Sequence, residues 1–171
     1  MDYISSVVLY PGHLIENGKV EDGYLSETGW NIEKNNCPIV QHFSYKCQRN
    51  RNDAGIPYGS TIPTELRFTI LLGSSKDSKQ FYQQLTLNEL FDHTFIFNPS
   101  FDDSSKAYLK YYEDAMIVKG YVVDVDEDFD TKGTDDNEDN LIQIEVTLLL
   151  SSITYQGREE KINRKLEITN Y

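Results

Sequence analysis

Hydrophobic and polar positions alternate with a period of two through much of this 171-residue chain. Alternation of that kind marks strands with one buried face. From Thr64 to Leu72, Leu66, Phe68, Ile70 and Leu72 share one side, and Glu65, Arg67 and Thr69 the other. Pro38 to Arg49 repeats the pattern, with Phe43, Tyr45 and Cys47 opposed to His42, Ser44 and Lys46. Two further runs, Tyr108 to Val125 and Leu141 to Tyr155, are far longer than the usual ~5–6 residues of a strand. In the second, Ile142, Ile144, Val146, Leu148 and Leu150 face inward; Gln143, Glu145 and Thr147 face outward, and so does Leu149. In the first, alternation slips near Asp114-Ala115 and again near Gly120. Bulges and glycines produce such slips and supply the bend of a curled sheet. Strands that long twist and cannot stay flat over a small core. The pattern predicts a mainly β protein, an antiparallel β-barrel of two curled sheets.

The shorter elements fit around that frame. Tyr3 to Tyr10 reads as a first strand, closed by the turn pair Pro11-Gly12. Residues 1–36 form an N-terminal arm, a hairpin or irregular from His13 onward. Arg49 to Pro63 is a long polar segment punctuated by Asn, Gly and Pro, the composition of an ordered loop. Loops above ~12–15 residues are uncommon in compact domains and are often functional. After Gly73-Ser74-Ser75, Asp77 or Ser78 can cap one short helix, Ser78 to Glu89, with Phe81, Leu85 and Tyr82 as its apolar stripe. His93 to Asn98 is a strand led by Phe95 and Phe97, and Ser100 to Ser105 a loop. Residues 126–140 are an acidic hairpin tip, and Lys165 to Thr169 a candidate closing strand. The length fits a single domain, residues 1–171, at ~100–200 residues per domain.

Composition sharpens the picture in two ways. Twelve Tyr and eight Phe favour pleated, half-buried surfaces. The net charge is −12, and nine acids between Asp124 and Asp139 face the single Lys132, so that stretch supplies −8 of it. No basic stripe exists to displace phosphate counterions, which argues against nucleic acid and against anionic membrane surfaces. No run approaches the ~20 apolar residues of a membrane helix. The start, Met-Asp-Tyr-Ile, lacks a basic leader region, so the expectation is a cytoplasmic protein that does not use the general secretory route. Cys37 and Cys47 read as reduced core thiols, too few for a disulfide scaffold or a four-cysteine zinc site.

No catalytic constellation accompanies the framework. His13, His42 and His93 are scattered and read as surface or half-buried. There is no G-x-S-x-G elbow, no phosphate-cradling G-x-x-x-x-G-K-[ST] and no G-x-G-x-x-G. Asp126, Asp128 and Asp130 open a D-x-D-x-D, but a calcium loop of the EF-hand type needs Gly and Glu where Thr131 and Asn137 stand. The expectation is no enzyme, no cofactor and no metal. The acidic run instead keeps an exposed tip soluble and unpaired.

The stretch from Ser44 to Ile70, S-Y-K-C-Q-R-N-R-N-D-A-G-I-P-Y-G-S-T-I-P-T-E-L-R-F-T-I, resembles the Hcp (haemolysin-coregulated protein) tube family of type VI secretion, in its divergent Bacteroidetes branch. The matching positions are Ser44, Tyr45, Arg49 or Arg51, Asp53, Gly55, Pro57 and Gly59. The order of elements from residue 38 to 155 matches as well, with Ala115, Ile117 and Tyr121 in the strand after Phe97. The N-terminal arm, Ile62-Pro63 and the acidic tip depart from the family pattern.

The resemblance implies a β-barrel with one helix that assembles head to tail into homohexameric rings stacked as a tube. The segment Arg49 to Pro63, with Arg49, Arg51, Asp53, Gly55, Pro57 and Gly59, is then the ring-stacking loop. Partners implied are further copies of the chain, sheath, spike or baseplate proteins, and effector cargo carried out of the cell by type VI secretion. Two other readings stand beside it: a monomeric barrel binding a ligand or peptide in its mouth or on its edge, and a phage tail-tube relative.

Overall fold

The computed structural model describes residues 6–14, 20–30, 36–46, 48–62, 64–72, 75–101, 109–111, 114–129, 142–157 and 163–167. In chain order the elements are β1 (Val7–Tyr10), β2 (Gly12–Leu14), β3 (Val20–Asp22), a 3-10 helix (Tyr24–Thr28), β4 (Val40–Tyr45), β5 (Gln48–Arg51), β6 (Pro57–Ile62) and β7 (Glu65–Leu72). There follow α1 (Ser75–Thr86), β8 (Phe91–Phe97), β9 (Ser100–Phe101), β10 (Leu109–Tyr111), β11 (Asp114–Phe129), β12 (Ile142–Gly157) and β13 (Asn163–Glu167).

Six strands run antiparallel in the order β1-β8-β11-β12-β7-β4. The two ends of that path meet, since Val8 bridges Ile39 and the Leu9 N–H donates to the Pro38 carbonyl at 3.0 Å. The sheet is thus nearly closed into a barrel, as the strand lengths predict. Its seam lies between β1 and the entry to β4. The candidate closing strand near residue 165 instead pairs with β12 outside that path, as β13.

The two long strands organise the barrel. β11 and β12 each hold 16 residues and pair from Asp114↔Gly157 to Phe129↔Ile142. Their outer neighbours change midway. β11 pairs with β8 only through Asp114–Gly120, and β12 pairs with β7 through Ile142–Leu149 and with β13 through Ser152–Gln156. The register slips at Lys119/Gly120 and again at Val122/Asp124, so the bend expected at Gly120 is there and a second bulge follows at Val123. The slip expected at Asp114-Ala115 is a strand start. Tyr108 to Val125 is not one strand, because Leu109–Tyr111 belongs to β10 and pairs with β9. At Gly120 a Cβ would lie 2.5 Å from the Leu149 carbonyl oxygen, so only glycine lets the two backbones approach at the bend.

The inward faces are those the alternation marks. Leu66, Phe68, Ile70 and Leu72 of β7 are buried with Ile144, Val146, Leu148 and Leu150 of β12. Thr69, expected outside, is buried too, and Leu149 is half-buried. An aromatic cluster fills the interior, with Phe43–Phe95 centroids 4.8 Å apart and Phe68–Phe95 5.1 Å. Edge-to-face pairs of this kind add about 0.5–1.5 kcal/mol each beyond burial.

Helix α1 begins and ends three residues before the expected Ser78 to Glu89. The Thr86 hydroxyl donates to the Gln83 carbonyl at 2.8 Å and the Leu87 N–H to that of Gln84 at 3.3 Å, which finishes the last turn. Its buried line is Ser78, Phe81 and Gln84, whereas Tyr82 and Leu85 are 37% exposed. Phe81 sets this face by packing between Trp30 and Phe68, at 6.1 and 6.0 Å. Gln84 is buried because its Oε1 lies 3.1 Å from Nε2 of His93. His93 is itself wholly buried and stacked on Phe81, which corrects the expectation of a surface or half-buried histidine. Buried polar groups are tolerated where they bond one another.

On the exposed flank of α1 the Tyr82 hydroxyl donates to Glu127 Oε2 of β11 at 2.7 Å. That hydrogen bond, with lesser help from burial and the Glu127 and Asp126 charges, pushes the phenol up to about 12. A folded-state value above the unfolded one stabilises the fold up to pH ~10, and the contribution disappears as pH rises through about 12. Tyrosine ring-carbon NMR during alkaline titration should show Tyr82 titrating near 12, and Glu127→Gln should return it toward ~10. An unchanged midpoint in the variant would remove this tie between helix and strand. Gly120→Ala should lower stability by about 1–3 kcal/mol, read as a reduced urea midpoint at constant slope. A midpoint equal to that of the native protein would show that the bend does not need glycine.

Candidate functional site: an exposed hairpin at one end of the barrel

The antiparallel order gives the barrel two ends. Tyr45 and Leu66 pair at one of them, where β4 finishes and β7 begins. Leu72, Ile142 and Phe129 meet at the other. Everything between β4 and β7 therefore leaves from, and returns to, the first end.

Where a loop is expected from Arg49 to Pro63, the described residues 48–62 form a hairpin. β5 and β6 pair through Gln48↔Ile62, Arg49↔Thr61, Asn50↔Tyr58 and Arg51↔Pro57, and they pair with no other described strand. The tip is locked by Asn52. Its N–H donates to the Ile56 carbonyl at 3.0 Å, and its Oδ1 accepts from the Ala54 and Ile56 amides at 3.0 and 2.9 Å. Asn side chains close turns in this way. Gly55 takes φ 79° in the turn. Gly59, at φ 71°, sits in a bulge that places two extra residues in β6, and its carbonyl accepts from Arg49 Nε at 3.2 Å. Each of these glycines occupies backbone space that other residues avoid.

The six residues marked in the sequence thus share one small structure. Arg49 and Arg51 lie on β5, Asp53 and Gly55 in the turn, Pro57 at the start of β6 and Gly59 in its bulge. Residues 48–59 are all exposed. Ile56 and Tyr58 are exposed by 59% and 54%. The ladder escaped sequence reading because β5 is Gln-Arg-Asn-Arg. Neither of its faces meets a core, so it carries no alternation.

At the base of the hairpin an open cleft of about 390 Å³ lies between Tyr45, Lys46, Thr64 and Arg67. The Tyr45 hydroxyl is hydrogen-bonded to that of Tyr155 beside it. Arg67 pairs with Glu65 at 3.0 Å, both about half exposed, a contact worth little. The cleft lacks the enclosed apolar walls of a small-molecule site.

The opposite end is acidic. Asp126 stands directly across from Glu145, flanked by Asp124↔Thr147 and Asp128↔Gln143. Residues 126–129 are the last rungs of this ladder, and 130–140 of the expected tip lie outside the described residues. Among the described residues no group of three or more His, Cys, Asp or Glu could hold a metal ion. His42 is exposed on β4. The half-buried Cys37 is a free thiol that burial pushes up to about 12, and Cys47 lies outside the described residues. No described helix is long and apolar enough to cross a membrane.

Solved structures share this architecture from end to end. A mutant of the Hcp1 protein from E. coli EAEC 042 pathovar aligns over 95% of this chain and 97% of its own, with 15% identity and a TM-score of 0.57. The chain has the Hcp fold. A second Hcp protein aligns over 98% of both chains at 11% identity and TM-score 0.58. The secreted protein Hcp3 from Pseudomonas aeruginosa aligns over 97% of this chain and 98% of its own, at 12% identity and TM-score 0.52. No family model and no curated protein sequence matches the chain.

Asn52→Ala removes two hydrogen bonds from the tip but touches no core residue. It should speed amide exchange across residues 52–56 while leaving the global unfolding free energy within about 0.5 kcal/mol. A loss of several kcal/mol would mean that the hairpin is part of the barrel's stability.

Proposed function

We propose that the protein is the structural subunit of a type VI secretion tube, in which six copies form a ring and rings stack head to tail. The observation that supports this best is the agreement of fold with Hcp proteins over at least 95% of the chain. The whole chain acts as one domain, and shape and self-association are its entire task. The tube encloses effector cargo, works with sheath, spike or baseplate proteins, and leaves the cytoplasm when pushed out.

Physical features favour self-association. A two-stranded hairpin is at best marginally stable alone in water, and β5 and β6 both offer open edges that another chain can cover. A contact between two different surfaces of the same chain closes into a ring when the rotation permits. Arg49, Arg51, Asp53, Gly55, Pro57 and Gly59 build the stacking element, and Ile56 and Tyr58 supply the apolar anchors it buries in the next ring.

Negative-stain microscopy of purified protein should show rings and short stacks. Deleting residues 53–59 should leave folded protein that still forms rings but no longer stacks them. A monomer at high concentration would favour the binding-module reading, and unfolding of the deletion variant would place the hairpin in the core.

A further inference from the structure

The hairpin and the far part of the β11–β12 ladder carry opposite charge. Eight-residue β7 separates them by roughly 23 Å at ~3.3 Å per residue. The hairpin end holds Lys46, Arg49 and Arg51 against Asp53, a positive island in a chain of net charge −12. Toward the far end, Asp126, Asp128 and Glu145 share the outer face of the β11–β12 ladder, while Asp124, level with Thr147 and Arg67, lies nearer the hairpin. Like charges directly across a ladder, as Asp126 and Glu145 are, oppose pairing. No Lys or Arg occurs from Asp124 to Phe129 or from Ile142 to Thr147. The neighbouring β7 positions beside Glu145 and Gln143 are Thr69 and Leu71, both uncharged. Arg67, beside Thr147, is held by Glu65.

We propose that strand β5 of one copy docks by Arg49 and Arg51 on the Asp126–Asp128 face of the next copy. This rests on the tube reading and adds to it a direction and a chemistry. The spacing supports the match. Arg49 and Arg51 are two residues apart on one strand, as are Asp126 and Asp128, so both pairs repeat at ~6.6 Å on one side of a strand. The extra residues of the hairpin bulge lie on β6, so this spacing on β5 is undisturbed. Docking also offsets the repulsion between Asp126 and Glu145, which have no Lys or Arg beside them on the described neighbouring strands. The occupant is a second copy because the cationic strand and the acidic face lie toward opposite ends of one molecule, which is what a repeating axial contact needs.

Ring stacking, followed by sedimentation and stack length in negative stain, should weaken at least about tenfold between ~0.05 M and ~0.5 M salt. Arg49→Glu with Arg51→Glu should abolish stacking, and so should Asp126→Lys with Asp128→Lys. All four changes in one chain should restore it with the charges exchanged. The milder Asp126→Asn should make the dissociated subunit more stable and its stacks shorter, which a purely structural role would not do. Wild-type rings that stack equally at both salt concentrations, with variants that stack like them, would overturn the electrostatic contact and leave the tube intact. Wild-type protein that forms no rings would overturn both.

Discussion

A sixteen-residue ladder that must bend is the constraint on which this molecule depends. β11 and β12 pair along their full length, and a flat pair of that size would expose one face to water. Curling brings the inner faces of β7, β8, β11 and β12 round a shared core of Phe68, Phe95, Met116, Ile144 and Leu148. The twist of strands favours the curl, and Gly120 and the adjoining bulges permit it. Once bent, each long strand changes neighbours midway and serves both flanks of the barrel.

Closure then determines what is left over. β4 and β7 meet at one end, and the chain between them has no core to reach, so it folds on itself as an exposed hairpin. Its order comes from local chemistry: Asn52 at the tip, Gly55 in the turn, and Gly59 with Arg49 at the bulge. At the other end the same ladder finishes in carboxylates, with α1 strapped alongside through Tyr82 and Glu127.

Legibility in the sequence follows contact with the core. Leu66 to Leu72 and Ile142 to Leu150 announce their faces because one side of each strand is buried, and the bend at Gly120 shows as a break in that rhythm. Gly55 and Gly59 mark an unusual segment because glycine tolerates left-handed backbone. The β5–β6 pairing leaves no such trace, since residues 48–59 are all exposed. The helix reads three residues late because its buried line includes the polar Ser78 and Gln84. His93 reads as a surface or half-buried residue because nothing near it in sequence marks its partner, the helix residue Gln84. The seam between Val8 and Ile39 joins residues whose local sequence carries no record of their meeting.

Amide hydrogen exchange on dilute and on concentrated, assembled protein tests the central claim most directly. Copies that cover one another's hairpins should gain protection across residues 48–62 on assembly, while amides of the β11–β12 ladder near Gly120 stay slow in both states. Hairpin amides that exchange equally fast in both states, or that are already slow in the dilute protein, would contradict it.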